Sequence, residues 1–456
     1  MMDEKVERDE AQRMIDTLTQ YLQTGNIDAF RDEFFELHPY DQAQFYEKVT
    51  PDIRQIIYQY LSPEELAEIF QALELDDDEY VEFLNEMDIN YAATMLSEMN
   101  SDDAVDVLNE LDDDERDSYL NLMDDETVEE ISELMQYENY TAGAIMTTEY
   151  VAINENSTTR SAMHILRNEA PTAETIYYLF VINMKKQLVG VLSLRDLIVA
   201  DDDVLIRDVM NERVVSVHVK DDQEEVAQIM RDYNFLALPV IDDQQELLGI
   251  ITVDDIIDVI DEEAEDDYSK LAGISDFDHA DQGPFTAAKK RLPWLVMLLF
   301  LGMITASLMA QFEDTLDAVA ILAIFIPLIS GTSGNSGTQA LAVAVRGLAT
   351  KEAGDEESKL KLLLRELSTG MVMGVLCAVV VTGIVYFWKG ELVIGMLVGA
   401  AMCCSIIVAT LAGALIPLLM HRIGVDPAVA SGPFITTLND ITSILIYLGL
   451  ATVFIL

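Results

Sequence analysis

The chain has 456 residues, a formal net charge of −55 and an isoelectric point near 4.1. This charge argues against a nucleic-acid partner, and a 50% hydrophobic content argues against a disordered acidic tail. The charge is unevenly placed, since residues 1–286 carry 71 acidic against 17 basic side chains and residues 287–456 carry 11 against 10. A strongly anionic module therefore precedes a nearly neutral one.

The N-terminal segment, residues 1–137, contains an internal repeat. A leucine or methionine followed by Asp, Asn or Gln recurs every twelve residues, at Leu75, Met87, Met99, Leu111, Met123 and Met135. Three capping boxes are predicted, at Ser62 with Glu65, Asp76 with Glu79, and Asp112 with Glu115. Each unit is thus predicted to be a short amphipathic helix, and stacked units give an all-α superhelical N domain with an acidic rim.

Residues 138–260 alternate β-branched runs with helical patterns, and the segment occurs twice. Residues 188–196 are echoed by residues 248–255, and both copies end in a strand followed by Ser/Thr-x-x-Asp, an N-cap pattern. The segment resembles a tandem pair of CBS domains, which implies an α/β fold. In that family the Ser/Thr-x-x-Asp element can hold a nucleotide ribose beside an apolar or aromatic side chain that contacts adenine.

Three residues match those nucleotide-binding roles: Asp196, Tyr178 and Phe235. The alternative is that Ser193 and Thr252 only cap helices and that the aromatic side chains belong to the core. The residues themselves leave both possibilities open.

Residues 261–287 are predicted to be a connecting (plug) helix and linker. The helix carries a dense acidic run, in which like charges one turn apart repel each other: Glu262, Glu263, Glu265, Asp266 and Asp267. A charged helix between a soluble module and a membrane module is well placed to move.

Five apolar spans follow, and each reaches the ~20 residues that a bilayer crossing needs. They cover approximately residues 293–312, 318–345, 367–388, 392–420 and 428–456. Lysine and arginine residues cluster before the first span and between the second and third, whereas the next loop offers only Lys389. The positive-inside rule places the N-terminus and soluble domains in the cytoplasm and the C-terminus outside the plasma membrane. Residues 288–456 are therefore predicted to form a five-helix transmembrane domain.

The fifth span contains one clear ionisable group, Asp440, and such groups are functional candidates. Gly432 and Thr436 share its helix face, so the stripe would line an aqueous path where it meets its copy from a second subunit. Pro433 is expected to free a backbone carbonyl nearby. One carboxylate with carbonyls and water suits Mg²⁺, which keeps most of its own water, better than Ca²⁺.

The second span contains glycines at positions 331, 334 and 337, which allow close helix packing. Asn335 and Gln339, four residues apart, place two amides on one face and are candidate pore-lining residues. A packing seam alone explains the glycines but not both amides.

Together these stretches resemble the MgtE family of magnesium channels over essentially the whole chain. The matching stretches are residues 291–295, 334–339 and 426–428 and the Thr437-x-x-Asp440 pattern. The resemblance implies a homodimer with its pore on the two-fold axis, with Asp440 as the Mg²⁺ ligand and the backbone of Thr436 nearby. It also implies a channel in the lipid bilayer rather than an enzyme, so no catalytic residue is expected.

The resemblance further implies that cytosolic Mg²⁺ closes the channel by binding between the N domain, the CBS pair and the connecting helix. The sensor ligands it implies are Asp102, Asp106, Glu224, Asp255, Asp258, Glu263, Asp266 and Asp267. ATP is a possible second ligand, through Tyr178, Arg195, Asp196 and Phe235. The residues alone favour a solvated helix face for Asp102 and Asp106 over joint chelation of an ion.

Two other functions are compatible with the sequence. One is a broader divalent-cation carrier for Co²⁺ or Mn²⁺, which Asp440 alone does not exclude. The other is a membrane-anchored CBS nucleotide sensor, but this leaves Asp440 and the two amides of the second span unexplained.

Overall fold

A computed structural model describes residues 2–73, 77–274, 283–349 and 356–455. The chain divides into two compact units, Met1–Ile260 and Asp261–Leu456. The predicted fold class is confirmed: helices come first, two small mixed sheets follow, and long apolar helices complete the chain.

The first unit begins with a series of short helices. In chain order they are α1 (Met2–Thr24), α2 (Ile27–Phe34), α3 (Pro39–Lys48), α4 (Pro51–Tyr60), α5 (Pro63–Gln71), α6 (Asp77–Glu86), α7 (Ile89–Ser97), α8 (Ser101–Asn109), α9 (Asp113–Leu120) and α10 (Asp125–Leu134). From α3 onward, helices pack on the next but one, as α3 does on α5 and α5 on α7, which winds the series into a superhelix.

The twelve-residue repeat has a clear structural cause. Asp88, Asn100 and Asp112 are the N-caps of α7, α8 and α9, and the apolar residue before each of them is buried. The capping box of Ser62 with Glu65 is confirmed, whereas Asp112 makes no side-chain cap bond, so that predicted box is wrong. Asp76 lies outside the described residues.

The second part of this unit contains two similar sheets. Its elements are β1 (Ala152–Asn154), α11 (Thr159–Glu169), β2 (Tyr178–Ile182), β3 (Leu188–Ser193), α12 (Leu194–Val199), α13 (Ile206–Val209), β4 (Val217–His218), α14 (Gln223–Tyr233), β5 (Ala237–Ile241), β6 (Leu247–Thr252) and α15 (Val253–Ala272). In each sheet the first pair of strands is parallel and the second pair is antiparallel. Ser193 caps α12 through the Asp196 amide, and Thr252 precedes α15, so both repeats end as predicted.

The second unit consists mainly of long helices. They are α16 (Pro284–Ala310), α17 (Glu313–Ala318), α18 (Ile326–Ala349), α19 (Glu356–Lys389), α20 (Leu392–Arg422) and α21 (Gly432–Ile455), with 3-10 turns at Ala320–Phe325 and Pro427–Val429. Among the described residues, five helices are long and apolar enough to cross a membrane. The first begins earlier than predicted, since Pro293 lies inside α16.

Helices α18, α20 and α21 pack closely because glycines meet at their crossings. A Cβ atom placed on Gly337 would overlap the amide nitrogen of Asn439 and lie 3.1 Å from Ile435. Asn439 itself is fully buried, and neither of its amide atoms has a hydrogen-bond partner within the described part of the chain. A hydrogen bond also joins α18 to α21, since the hydroxyl oxygens of Ser333 and Ser443 lie 2.6 Å apart.

Replacing Gly337 with alanine tests this crossing. Gly337→Ala should destabilise the membrane unit by about 1–3 kcal/mol, the usual cost of overpacking, and lower its thermal unfolding temperature in detergent. Gly331 is the control on the same helix, since a Cβ there meets nothing within 4 Å. Equal unfolding temperatures for Gly337→Ala and Gly331→Ala would contradict the close crossing.

Candidate ion pathway and acidic clusters

The candidate pore residue, Asp440, lies on α21 and faces α18. Its carboxylate accepts a hydrogen bond of 2.5 Å from the hydroxyl of Ser330. Ser330 is one turn into α18, and Gly334 on the next turn lets Thr436 approach, since a Cβ there would lie 3.0 Å from the Thr436 methyl. Small residues thus bring a hydroxyl donor to a carboxylate in the middle of a span.

A cavity of about 740 Å³ opens beside Asp440, between α16, α17 and α21. Thr437 and Asp440 of α21 line it, together with two exposed carboxylates of α17, Glu313 and Asp317. The remaining lining residues are mainly apolar side chains of α16. The cavity therefore combines three carboxylates from two helices with a largely apolar wall.

The other predicted pore residues lie elsewhere. Asn335 and Gln339 are exposed on the same face of α18. The Thr436 hydroxyl donates to the Gly432 carbonyl at 2.9 Å. The expectation for Pro433 is wrong, because Pro433 stands in the first turn of α21, where no intrahelical bond is lost, and its own carbonyl accepts a bond from Thr437.

The last turns of α15 contact the loop that precedes α21. Lys270 forms an ion pair with Asp266 on its own helix and a second, at 2.5 Å, with Asp426. Asp426 also accepts the backbone N–H of Ala428 at 2.8 Å. We call this contact of Lys270, Asp266 and Asp426 the latch.

Apolar packing accompanies the latch. The side chain of Leu271 packs on a buried cluster that includes Ala428, Ala430 and Ile435. Its carbonyl oxygen lies next to Gly432, at 3.4 Å from the position that a Cβ atom would take there. Burial and the nearby Asp426 carboxylate raise the pKa of Asp267. Two of the predicted sensor residues, Asp266 and Asp267, thus lie at the end of α15 that faces the start of α21.

Five carboxylates of the first unit lie together, and we call them the acidic cluster: Asp102, Asp103, Glu149, Glu174 and Asp255. They come from the first turn of α8, the segments before β1 and β2, and the first turn of α15. Neutral donors serve several of them. The Ser101 hydroxyl donates to Glu149 at 3.0 Å, the Gln71 amide donates to Asp103 at 2.8 Å, and Thr252 donates to Asp255 at 2.5 Å.

Burial raises the pKa values of four carboxyl groups in the acidic cluster, those of Asp102, Asp103, Glu174 and Asp255. Burial and the neighbouring Asp103 and Asp255 raise the pKa of Asp102 well above its usual range. Burial is also the largest cause that raises the pKa of Asp103 to about 6 and the pKa of Glu174 to about 7. Atom Oδ1 of Asp102 is buried with no hydrogen-bond partner among the described residues, and this chemistry fits a cation.

The remaining sensor residues are less enclosed. Asp106, Glu224 and Asp258 are exposed and Glu263 is half-buried. Within the described ranges, no three His, Cys, Asp or Glu side chains are grouped closely enough to hold a metal ion. Mg²⁺ is usually bound through only one or two carboxylates and keeps several waters, so pairs such as Asp102 and Asp255 remain suitable.

The nucleotide-binding candidates divide between the two repeats. Tyr178 pairs with Ser193 across β2 and β3, which brings it beside Asp196, whose carboxylate accepts the Ser193 hydroxyl at 2.6 Å. Arg195 is exposed in the same turn. Phe235 belongs to the second repeat and stacks on Tyr233, with ring centroids 5.3 Å apart.

Comparison with known proteins agrees with this arrangement. Residues 326–450 match a family model described as a divalent cation transporter, residues 37–140 match the MgtE intracellular N domain, and residues 142–203 and 206–262 match the CBS domain. The chain is 54% identical over 448 residues to the magnesium transporter MgtE of Enterococcus faecalis, and the match covers 98% of each protein. The chain belongs to the MgtE family of magnesium transporters.

Two solved structures resemble the first part of the chain. The soluble part of a magnesium transporter has a TM-score of 0.55 at 54% identity and covers 56% of this chain and 99% of that one. The cytosolic domain of the Mg²⁺ channel MgtE in complex with ATP has a TM-score of 0.51 at 38% identity and covers 54% and 99%. With five candidate membrane helices, this MgtE-family chain is a multi-pass membrane protein.

Several residues at these sites were not predicted from the sequence. Ser330, Glu149 and Glu174 carry no pattern that separates them from other hydroxyl and acidic residues. Lys270 did carry a signal, because it is the only lysine or arginine between Arg231 and Lys289. A single cation in such an acidic stretch indicates a specific partner.

The acidic cluster predicts a pH dependence. In the packed state the pKa values of Asp102, Asp103, Glu174 and Asp255 are higher than the values near 4 of free carboxyl groups, so the packed state binds more protons. Its stability is greatest below about pH 4 and falls as pH rises through 6 and 7. In Mg²⁺-free buffer, calorimetry of the full chain should therefore show the unfolding temperature of the first unit falling between pH 5 and pH 8.

Substitutions identify the groups responsible for this dependence. Asp103→Asn combined with Glu174→Gln should flatten it, while Asp112→Asn, at an exposed helix cap, should leave it unchanged. An unfolding temperature that does not change over this pH range would contradict the assignment.

Proposed function

We propose that the protein is an Mg²⁺-selective channel for magnesium uptake across the plasma membrane, and that cytosolic Mg²⁺ closes it. The observation that supports this most directly is the carboxylate of Asp440 beside a cavity that Glu313 and Asp317 also line. A single carboxylate with hydroxyl and water oxygens suits a hydrated Mg²⁺ ion. The relatives that cover the chain are magnesium transporters, which favours transport over enzymatic activity.

We infer a homodimer with its pore on the two-fold axis. The exposed amides of Asn335 and Gln339 support this, because polar side chains in a span are costly against lipid and normally face protein or a water-filled path. A second copy would cover them and bring two α21 helices together, with Asp440, Thr436 and Gly432 on facing stripes. The soluble domains and N-terminus would lie in the cytoplasm and the C-terminus outside.

Closure by Mg²⁺ rests on two features of the chain. In the acidic cluster, the unpartnered Oδ1 of Asp102 beside Asp255 offers oxygen ligands for a divalent ion. At the end of α15, the latch and Leu271 lie against the start of α21, the helix that carries Asp440. Mg²⁺ would neutralise the repulsion between these carboxylates only in the closed arrangement. Because the ion binds that arrangement better than the open one, it shifts the equilibrium towards closure.

The sensor ligands proposed from the family pattern remain Asp102, Asp106, Glu224, Asp255, Asp258, Glu263, Asp266 and Asp267. ATP is a further proposed ligand, supported by the ATP complex of the MgtE cytosolic domain. Tyr178, Arg195 and Asp196 would bind it in the first repeat, with Phe235 contributing from the second.

Substitution of Asp440 tests the pore. With the full chain in vesicles, Asp440→Ala should reduce Mg²⁺ flux at least ~10-fold, since it removes the carboxylate that lies inside the fifth span and would contact the hydrated ion. Asp317→Asn should reduce flux less, and Asp314→Asn is the control, because Asp314 does not line the cavity. Normal conduction by Asp440→Ala would refute the pore assignment, and equal flux of Co²⁺ or Mn²⁺ would favour the broader carrier.

Substitution of Lys270 tests the latch. At an internal Mg²⁺ concentration that closes the wild type, Lys270→Met should raise flux about two- to five-fold, because a partly exposed ion pair contributes about 0.5–1 kcal/mol. Lys185→Met, an exposed lysine in the β2–β3 turn, is the matched control. If wild-type flux is insensitive to internal Mg²⁺ over the millimolar range, the closure proposal fails, whatever the variant does.

A further inference from the structure

Two apolar grooves flank one face of α19 near its C-terminal end. The first, about 450 Å³, lies between α19, α18, α20 and the 3-10 turn before α18. The second, about 570 Å³, lies on the other side of α19 and is lined by α19 side chains alone. Both share Val380, Ile384 and Trp388, which stand one turn apart and form a ridge between them.

The walls of both grooves are largely apolar and would accommodate hydrocarbon chains. Most residues that line the first groove are apolar; the Thr332 hydroxyl already donates to the Leu328 carbonyl at 2.7 Å, and the Cys377 thiol and the indole N–H of Trp388 are the other polar groups among the lining residues. In the second groove, Gly383 forms part of the floor, and a Cβ there would meet nothing within 4 Å. Neither groove offers a site for an ion or a polar ligand.

The length of the grooves matches one leaflet of a bilayer. On α19 the first groove runs from Leu376 to Trp388, which is about 18 Å at 1.5 Å per residue. Half of a ~30 Å hydrocarbon core is about 15 Å. The grooves therefore extend from the membrane surface, where α19 ends, to about the bilayer midplane.

Polar groups occur where the two grooves converge. Trp388 closes both grooves, and the ammonium of Lys389 lies 4.3 Å from its ring centroid, a cation–π contact that holds the charge above the ridge. Glu391 is exposed two residues later, beyond the turn at Gly390. A cation and an anion thus lie two residues apart at the end of α19, the level of lipid headgroups, where tryptophan is also commonly found.

We propose that this face of α19 binds one diacyl phospholipid with an amine-bearing headgroup. Its acyl chains lie in the two grooves on either side of the Val380–Ile384–Trp388 ridge. Lys389 binds the phosphate and Glu391 binds the amine, so charge complementarity selects a zwitterionic headgroup over an anionic one. A second copy of the chain is the competing occupant, but a single helix face would have to fit the grooves on both sides of the ridge at once.

Lipid retention by the purified full chain tests the proposal. The protein, stripped of lipid in detergent, receives equal amounts of phosphatidylethanolamine, phosphatidylglycerol and phosphatidylcholine, and native mass spectrometry measures what stays bound. Wild type should retain one phospholipid per chain, with phosphatidylethanolamine in excess. Gly383→Leu, which fills the second groove, and Lys389→Gln should each lose most of it.

Gly449→Leu on α21 is the control, because a Cβ there also meets nothing within 4 Å, and it should retain the lipid. Retention unchanged in both groove variants, or a preference for phosphatidylglycerol, would overturn the proposal. Disulfide crosslinking of two copies through Val379→Cys in a bilayer would also overturn it, in favour of a protein interface. The readout is lipid mass rather than ion flux, so its failure leaves the transport proposal intact.

Discussion

The membrane unit depends on keeping the carboxylate of Asp440 in the middle of a span. In hydrocarbon such a group needs a donor and access to water, and both come from neighbouring helices. Ser330 supplies the donor and the cavity beside α16 supplies the space. Because Ser330 is a short side chain, α18 has to lie close to α21, and the small residues at the crossings allow this. The hydrogen bond between the hydroxyls of Ser333 and Ser443 also joins α18 to α21.

In the first unit the carboxylates are grouped together instead of isolated. There, carboxylates from α8, α15 and the segments before β1 and β2 meet, and among the described residues the donors to Asp103, Glu149 and Asp255 are hydroxyl and amide groups. Burial raises the pKa values of Asp103 and Glu174, so these two groups keep protons that exposed carboxyl groups would release. An arrangement that is costly when ionised, and is relieved by a cation, is suited to sensing that cation.

Much of the fold could be predicted because it depends on local signals. The twelve-residue repeat reflects a helix cap followed by one short helix, as at Asp88 and Asn100, and the five spans follow from apolar length alone. The site was predicted only where a residue is unusual for its surroundings, as Asp440 is. Ser330, Glu149 and Glu174 are ordinary residues in their segments, and they matter only because distant parts of the chain meet there. Pro433 does not free a carbonyl because α21 begins only one residue before it, and Asp112 is the N-cap of α9 but makes no side-chain cap bond; the sequence pattern shows neither.

The contact between Gly337 and Asn439 has a consequence for how related sequences can differ. The amide of Asn439 occupies the space that a side chain at position 337 would need, and Asn439 is the immediate neighbour of Asp440. A larger residue at 337 is compatible with the same helix spacing only where residue 439 is shorter. These two positions should therefore covary across the family, and that covariation would record the distance between two helices rather than any contact with the transported ion.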